Sequence, residues 1–378
     1  MYNLLQIKLM VLDGGGVRGI SAILQLGLIM KTVNRKLKRP RGQHLLPWQV
    51  FSLIGGTSTG GILAVMLGRL KMSTDECLDE YCKLSKIVFQ PKRARADIPR
   101  RAADRLTADE RFDADVLEQQ IRAVIEKKIG DADIPLMDDE GEISPCRVFV
   151  CSKMSSVGHV SLLRSYENEN QPDSISDRCK LWEACRATSA ASTFFSPCKI
   201  AGRVFIDGAL GMNNPVEAVW QEAKDLWGDG NTVIISLGTG EKPSTTTHEG
   251  LTGIVKTLEE IATETQNTAN RFIQRNNDLV ERDFYYRFNV PGLGRVGLHE
   301  YQRVELLEEQ TDGYLNRHEI SQRLLRCAEK LREVCQSPLF GTSPPVFSLP
   351  MRMAIEYNYE PSTRRRITLN ECIHGWGG

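Results

Sequence analysis

The chain has 378 residues, with 48 Lys and Arg against 48 Asp and Glu, so its formal net charge is zero. This balance excludes a nucleic-acid binder driven by overall charge, and attraction to any anionic surface has to come from local patches. A hydrophobic content of 41% and a charged content of 25% are those of a globular protein, long enough for a sizeable core in one large domain or two ordinary ones.

No uninterrupted apolar run approaches the roughly 18 residues of a membrane span. The N-terminus lacks the basic start, apolar stretch and small-residue cleavage site of a signal peptide. Ten cysteines, without a Cys-x-x-Cys pair, read as reduced thiols of a cytosolic protein rather than a disulfide framework or zinc site. None of the six histidines has the spacing of a metal ligand set. No metal and no cofactor are expected.

In chain order, Leu4 to Leu12 is an apolar strand ending in Asp13-Gly14-Gly15-Gly16-Val17-Arg18-Gly19. A helix follows through Ile20, Leu24, Leu28 and Ile29, and finishes in the basic run Arg35, Lys36, Lys38, Arg39 and Arg41. Such charges suit a solvated helix C-terminus; the sharper alternative is a patch for anionic headgroups. A second apolar run, Val50 to Ile54, leads through Gly55-Gly56-Thr57-Ser58-Thr59-Gly60-Gly61 into a helical stretch from Ile62. Asp75 to Val88 is helical with Thr74 as its cap, and residues 89–112 read as an irregular excursion over a site. Val116 to Ile129 is an amphipathic helix, while Arg147 to Ser152 and His159 to Leu163 are short strands.

Leu181 to Ala191 is a helix of small residues, and the strand Val204-Phe205-Ile206 runs into Asp207-Gly208-Ala209. A helix from Pro215 to Trp227 and a strand from Thr232 to Leu237 follow. Two long helices, Leu251 to Glu281 and Tyr314 to Cys335, flank a strand from Phe284 to Val290. Strands alternating with helices predict an α/β layered fold with a largely parallel sheet. One domain over residues 1–336 is expected, with 337–378 as an appendage of unknown role.

Three stretches carry chemistry. Ser58 between Gly56 and Gly60, at a strand-to-helix turn, has the pattern of a nucleophile elbow: the turn is too tight for larger neighbours, and the hydroxyl stands clear of the backbone. Gly14, Gly16 and Gly19 fit a dinucleotide fingerprint, which calls for an acidic residue about 20 places on. None occurs between Asp13 and Asp75. The same glycines can instead present backbone N–H groups to a tetrahedral intermediate, as an oxyanion hole. Asp207 closes an apolar run at a strand end, where α/β sheets place their sites. His299 is the histidine to watch as a triad base.

In that order, the segments Asp13 to Gly19, Gly56 to Gly61 and Asp207-Gly208-Ala209 resemble the patatin-like phospholipases, as does Arg186 to Ala191 with Phe195. The intracellular calcium-independent forms look most similar. The resemblance spans roughly residues 7–335 and implies a three-layer α/β/α fold in which a Ser–Asp dyad hydrolyses acyl esters of lipids. It implies Ser58 as nucleophile, Asp207 as base, Gly14, Gly15 and Gly16 as oxyanion donors, and Arg18 with Gly19 as support of that loop. Ala209 departs from the glycine common in the family. The implied partners are a phospholipid or other acyl-lipid substrate and, transiently, a membrane surface; oligomeric state is left open. Two alternatives stand beside this: an α/β-hydrolase-type esterase with a Ser58–Asp207–His299 triad, and a non-catalytic nucleotide-binding effector module.

Overall fold

A computed structural model describes residues 7–90, 112–138 and 144–335, apart from 173–174, 193, 229 and 242–252. The expected appendage at 337–378 and most of the irregular excursion at 89–112 lie outside the described residues. Among the described residues eight strands form one sheet: β1 (Ile7–Leu12), β2 (Leu53–Thr57), β3 (Arg147–Met154), β4 (Val160–Arg164), β5 (Cys198–Ile200), β6 (Arg203–Asp207), β7 (Thr232–Leu237) and β8 (Tyr285–Phe288). Their order is β5-β6-β3-β2-β1-β7-β8, with β4 also paired to β3.

The pairings among β3, β2, β1, β7 and β8 are parallel, whereas β4, β5 and β6 pair antiparallel. All six residues of β1 are buried. This is why its sequence, Lys8 apart, is apolar at every position rather than alternating: helices cover both faces of a parallel sheet. The layers are α1 (Gly19–Lys36), α2 (Pro47–Val50), α3 (Thr59–Ala64), α4 (Thr74–Val88), α5 (Ala114–Ile129), α6 (Leu181–Thr188), α7 (Ala209–Met212), α8 (Val216–Trp227), α9 (Gly253–Arg275), α10 (Asn277–Glu281), α11 (Val304–Leu315) and α12 (His318–Cys335). Helix α1 packs with α3, α4, α11 and α12 on one side, while α8 packs on β1 and β2 together with α9 on the other. The result is the expected three-layer α/β/α arrangement.

Helix ends differ from the sequence reading for local reasons. Ser73, not Thr74, caps α4: its hydroxyl accepts the Glu76 N–H at 3.1 Å, and the Glu76 carboxylate accepts the Ser73 N–H at 2.9 Å, a reciprocal capping box. The expected helix 181–191 stops at Thr188. The stretch from Leu251 breaks at Asn276, whose backbone is non-helical (φ −126°, ψ 43°). The expected helix from Tyr314 to Cys335 is the end of α11 and the whole of α12; Gly313 within the last turn of α11 masks the periodicity.

Among the described residues one helix, 16–36, is long and apolar enough to cross a membrane, although Arg18, Gln25 and Lys31 interrupt its apolar run; 72% of its apolar window is buried within the fold, as in a core helix. Its basic end lies about 27 Å along the axis from Gly19, at 1.5 Å per residue over 18 residues. The Arg35 to Arg41 run therefore sits far from the glycine loop, toward the N-terminal ends of the strands, which favours the solvated-terminus reading. Among the described residues the eight cysteines are free thiols, seven of them buried.

Candidate active site

The strand order reverses around β1, whose neighbours β2 and β7 lie on opposite sides. Ligands of α/β sheets bind at such a point, beyond the C-terminal strand ends. The Gly14–Gly16 loop follows β1, and Ser58 follows β2.

Ser58 adopts φ 54° and ψ −125°, a region that non-glycine residues rarely occupy and that typically costs about 1–3 kcal/mol. Neighbouring glycines make it achievable. A methyl group on Gly56 would run into the Gly60 carbonyl, and one on Gly60 into the carbonyl of Leu12. The Ser58 N–H donates to Thr188 Oγ1 at 2.9 Å, and that hydroxyl donates to the Cys151 carbonyl at 2.6 Å. Thr188 thereby pins the elbow to β3.

Ser58 Oγ donates directly to Asp207 Oδ2 at 2.6 Å. The other carboxylate oxygen accepts the Ala209 N–H at 2.8 Å. Asp207 is 2% exposed. Burial pushes its pKa up to about 6, against the opposing pull of the hydrogen bonds from Ser58 and Ala209. Its carboxylate is thus a stronger base than an ordinary one.

The glycine loop is held from four directions. The Gly14 N–H donates to the Asn213 carbonyl at 3.2 Å, and its own carbonyl accepts Thr239 Oγ1 at 2.7 Å and Asn213 Nδ2 at 3.3 Å. The Gly16 carbonyl accepts the Tyr81 hydroxyl at 2.9 Å and Thr59 Oγ1 at 3.1 Å. The next amide, Val17 N–H, donates to the Leu298 carbonyl at 2.9 Å. The amides of Gly15 and Gly16 make no hydrogen bond among the described residues. Of the three expected oxyanion donors, Gly14 is therefore engaged within the fold, while the next two are open.

Half-buried Arg18 donates Nε to the Gly15 carbonyl at 3.3 Å. Burial pulls its pKa down to about 10, which leaves it cationic at neutral pH. Gly19 fits closely under α3, where a methyl would meet the Thr59 side chain. At the root of the loop, Asp13 receives Arg287 Nη1 at 3.0 Å and Nη2 at 2.5 Å, both groups being buried. Arg287 was legible only as a lone charge in an apolar strand. Asn213 and Thr239 gave no signal beyond following a strand end.

His299 packs against Phe112 and Phe194 with its ring tilted by 45° and 44° to theirs and ring centroids 5.7 and 6.0 Å away. The contact between Ser58 and Asp207 has no imidazole in it. Among the described residues no three His, Cys, Asp or Glu side chains group as a metal site.

The family model described as patatin-like phospholipase matches residues 10–220, which takes in the glycine loop, the elbow and Asp207. The calcium-independent phospholipase A2-gamma of Rattus norvegicus is 28% identical over 332 residues, covering 83% of this chain and 39% of the relative. A cGAMP-activated phospholipase of Vibrio cholerae is 31% identical over 217 residues, 56% of each chain. Phospholipase A I of Arabidopsis thaliana is 25% identical over 283 residues, 63% of this chain and 21% of its own. The chain thus spans about two fifths of the length of the mammalian relative. With a match over more than half of its residues and the motifs in register with the site, the chain belongs to the patatin-like phospholipase family.

Proposed function

We propose that the chain is a lipid acyl hydrolase acting through a Ser58–Asp207 dyad. The observation that carries this reading is the 2.6 Å hydrogen bond from the strained Ser58 hydroxyl to the buried Asp207 carboxylate. Ser58 Oγ attacks the ester carbonyl as Asp207 takes its proton. The oxyanion of the tetrahedral intermediate accepts hydrogen bonds from the open amides of Gly15 and Gly16. Asp207 then returns the proton to the departing alcohol, leaving an acyl-serine. Water attacks the acyl group with Asp207 again as base, the acyl–Oγ bond breaks as Asp207 returns the proton to Ser58 Oγ, and the fatty acid leaves.

Arg18 steadies the loop through the Gly15 carbonyl. The substrate class, a phospholipid or related acyl lipid, follows from the family and from the names of its relatives. Such a substrate implies transient contact with a membrane. The test is labelling with a fluorophosphonate mapped by mass spectrometry, with fatty-acid release measured from phospholipid vesicles. Labelling at Ser58 that is lost in Ser58→Ala together with fatty-acid release supports the reading; release that survives Ser58→Ala overturns it.

A further inference from the structure

The sheet does not end at the catalytic pair. Strand β3 runs past the end of β2 and, with β4, β5 and β6, forms an antiparallel apron beside the mouth of the site. The register fixes which side chains share a face, because residues paired across a ladder point the same way and alternate along each strand. Lys153 pairs with both Val160 and Ile206. Two residues further along β6, Val204 pairs with Lys199.

These five side chains therefore occupy one face, and all are half-buried or exposed. On the opposite face Phe205, Cys198 and Ile200 are buried in the core. Across this face the order is Val160 on β4, Lys153 on β3, Ile206 and Val204 on β6 and Lys199 on β5, so that Ile206 and Val204 lie between two lysines while Val160 packs in part against the core. At the β3–β4 turn, Val157 is 58% exposed, the largest exposure among the exposed large hydrophobics of the described residues.

The charge pattern is one-sided. Residues 143–166 and 184–206, which contain both hairpins, hold no Asp or Glu in a chain with 48 of them. Neither Lys153 nor Lys199 has an acidic partner among the described residues. Bland surface strands would mix both signs. Apolar side chains flanked by two lysines that lack an acidic partner among the described residues, with a protruding valine, fit a surface of anionic headgroups over acyl chains.

We propose that this apron is the surface by which the protein seats on an anionic lipid bilayer. This rests on the lipid hydrolase reading above, and the apron lies at the end of the sheet that carries the catalytic pair, on the face opposite Asp207: Lys153 follows Ser152, the ladder partner of Asp207, so the two side chains point to opposite faces.

The test is sedimentation with vesicles of phosphatidylcholine alone and of phosphatidylcholine with phosphatidylserine. Three full-length variants are compared with wild type: Lys153→Glu/Lys199→Glu, Val157→Asp, and a control, Arg39→Glu/Arg41→Glu, with the same charge change in the basic run that follows α1. The lysine variant is expected to bind serine-containing vesicles about tenfold or more weakly, because each basic residue near an anionic surface adds to the attraction. Val157→Asp is expected to weaken binding too, and the control to bind as wild type does. Hydrolysis of a soluble short-chain ester should be unchanged in all three, which also reports an intact fold. Wild type that ignores phosphatidylserine, a lysine variant that binds normally, or a control that loses as much would each overturn the docking face. Vesicle binding of the expected pattern without ester hydrolysis or Ser58 labelling would instead leave the docking face standing and remove the enzymatic reading.

Discussion

Thr57 and Asp207 pair with adjacent residues of one strand: Thr57 lies opposite Cys151 and Asp207 opposite Ser152. Ser152 also pairs with Ser161 of β4. A strand has two edges, so β6 must share the edge that β2 uses and run head to head with it. The chain leaving β2 turns at once into Ser58, while β6 arrives from the other direction ending in Asp207. Sheet register alone thus brings together two residues 149 positions apart without a linking histidine.

If the pair is one catalytic unit, Ser58→Ala and Asp207→Asn should each lower turnover by several orders of magnitude in a folded protein, and the double variant should be little worse than either. His299→Ala should stay within about tenfold, near 1.4 kcal/mol of barrier. Steady-state kinetics with circular dichroism decides it. A loss at His299 equal to that at Ser58 would mean a triad.

The raised pKa of Asp207 has opposite consequences for activity and stability. The base form works, so kcat/KM should rise with pH through about 6 and level off above. For stability, the folded pKa lies above the unfolded one, near 3.8. Between roughly pH 4 and 6 the folded state holds a proton that the unfolded state has lost, so this group's contribution falls as pH rises, by on the order of 2–3 kcal/mol in all. Asp207→Asn should therefore be more stable than wild type at pH 8 by urea titration, and the gap should shrink toward pH 4.

Gly16 has φ 57°, and a methyl there would meet the Leu298 carbonyl. Gly16→Ala should displace an oxyanion amide and reduce kcat about a hundredfold or more, with a much smaller change in KM. An unchanged kcat on a soluble ester would remove Gly16 from the oxyanion hole.

The buried Arg287–Asp13 pair anchors the same loop. Arg287→Met leaves a carboxylate buried without its partner and is expected to cost about 3–5 kcal/mol in denaturant unfolding. Adding Asp13→Asn should restore part of the loss, because the stranded charge is then gone.

Two amides for the oxyanion and a carboxylate base complete the proposed chemistry. Fatty-acid release should accordingly proceed at the same rate in excess chelator. Activity that is lost on chelation and returns with calcium or zinc would refute this.

What the sequence determined by itself was local. Buried strands such as Thr232–Leu237 are mostly apolar without strict alternation, as Val233, Ile234 and Ile235 in succession show, because both their faces are covered. The Gly56-x-Ser58-x-Gly60 turn is legible because only glycine leaves room for its neighbours. Tertiary structure decided the rest, because those facts depend on pairings between distant segments. Which glycine amides stay open is set by Asn213. Arg287 became a loop anchor only when β8 took its place beside β7, and β7 lies beside β1, where Asp13 begins the loop. The meeting of Ser58 with Asp207 arose from two strands sharing one edge of β3, a fact of register that no single stretch of sequence contains.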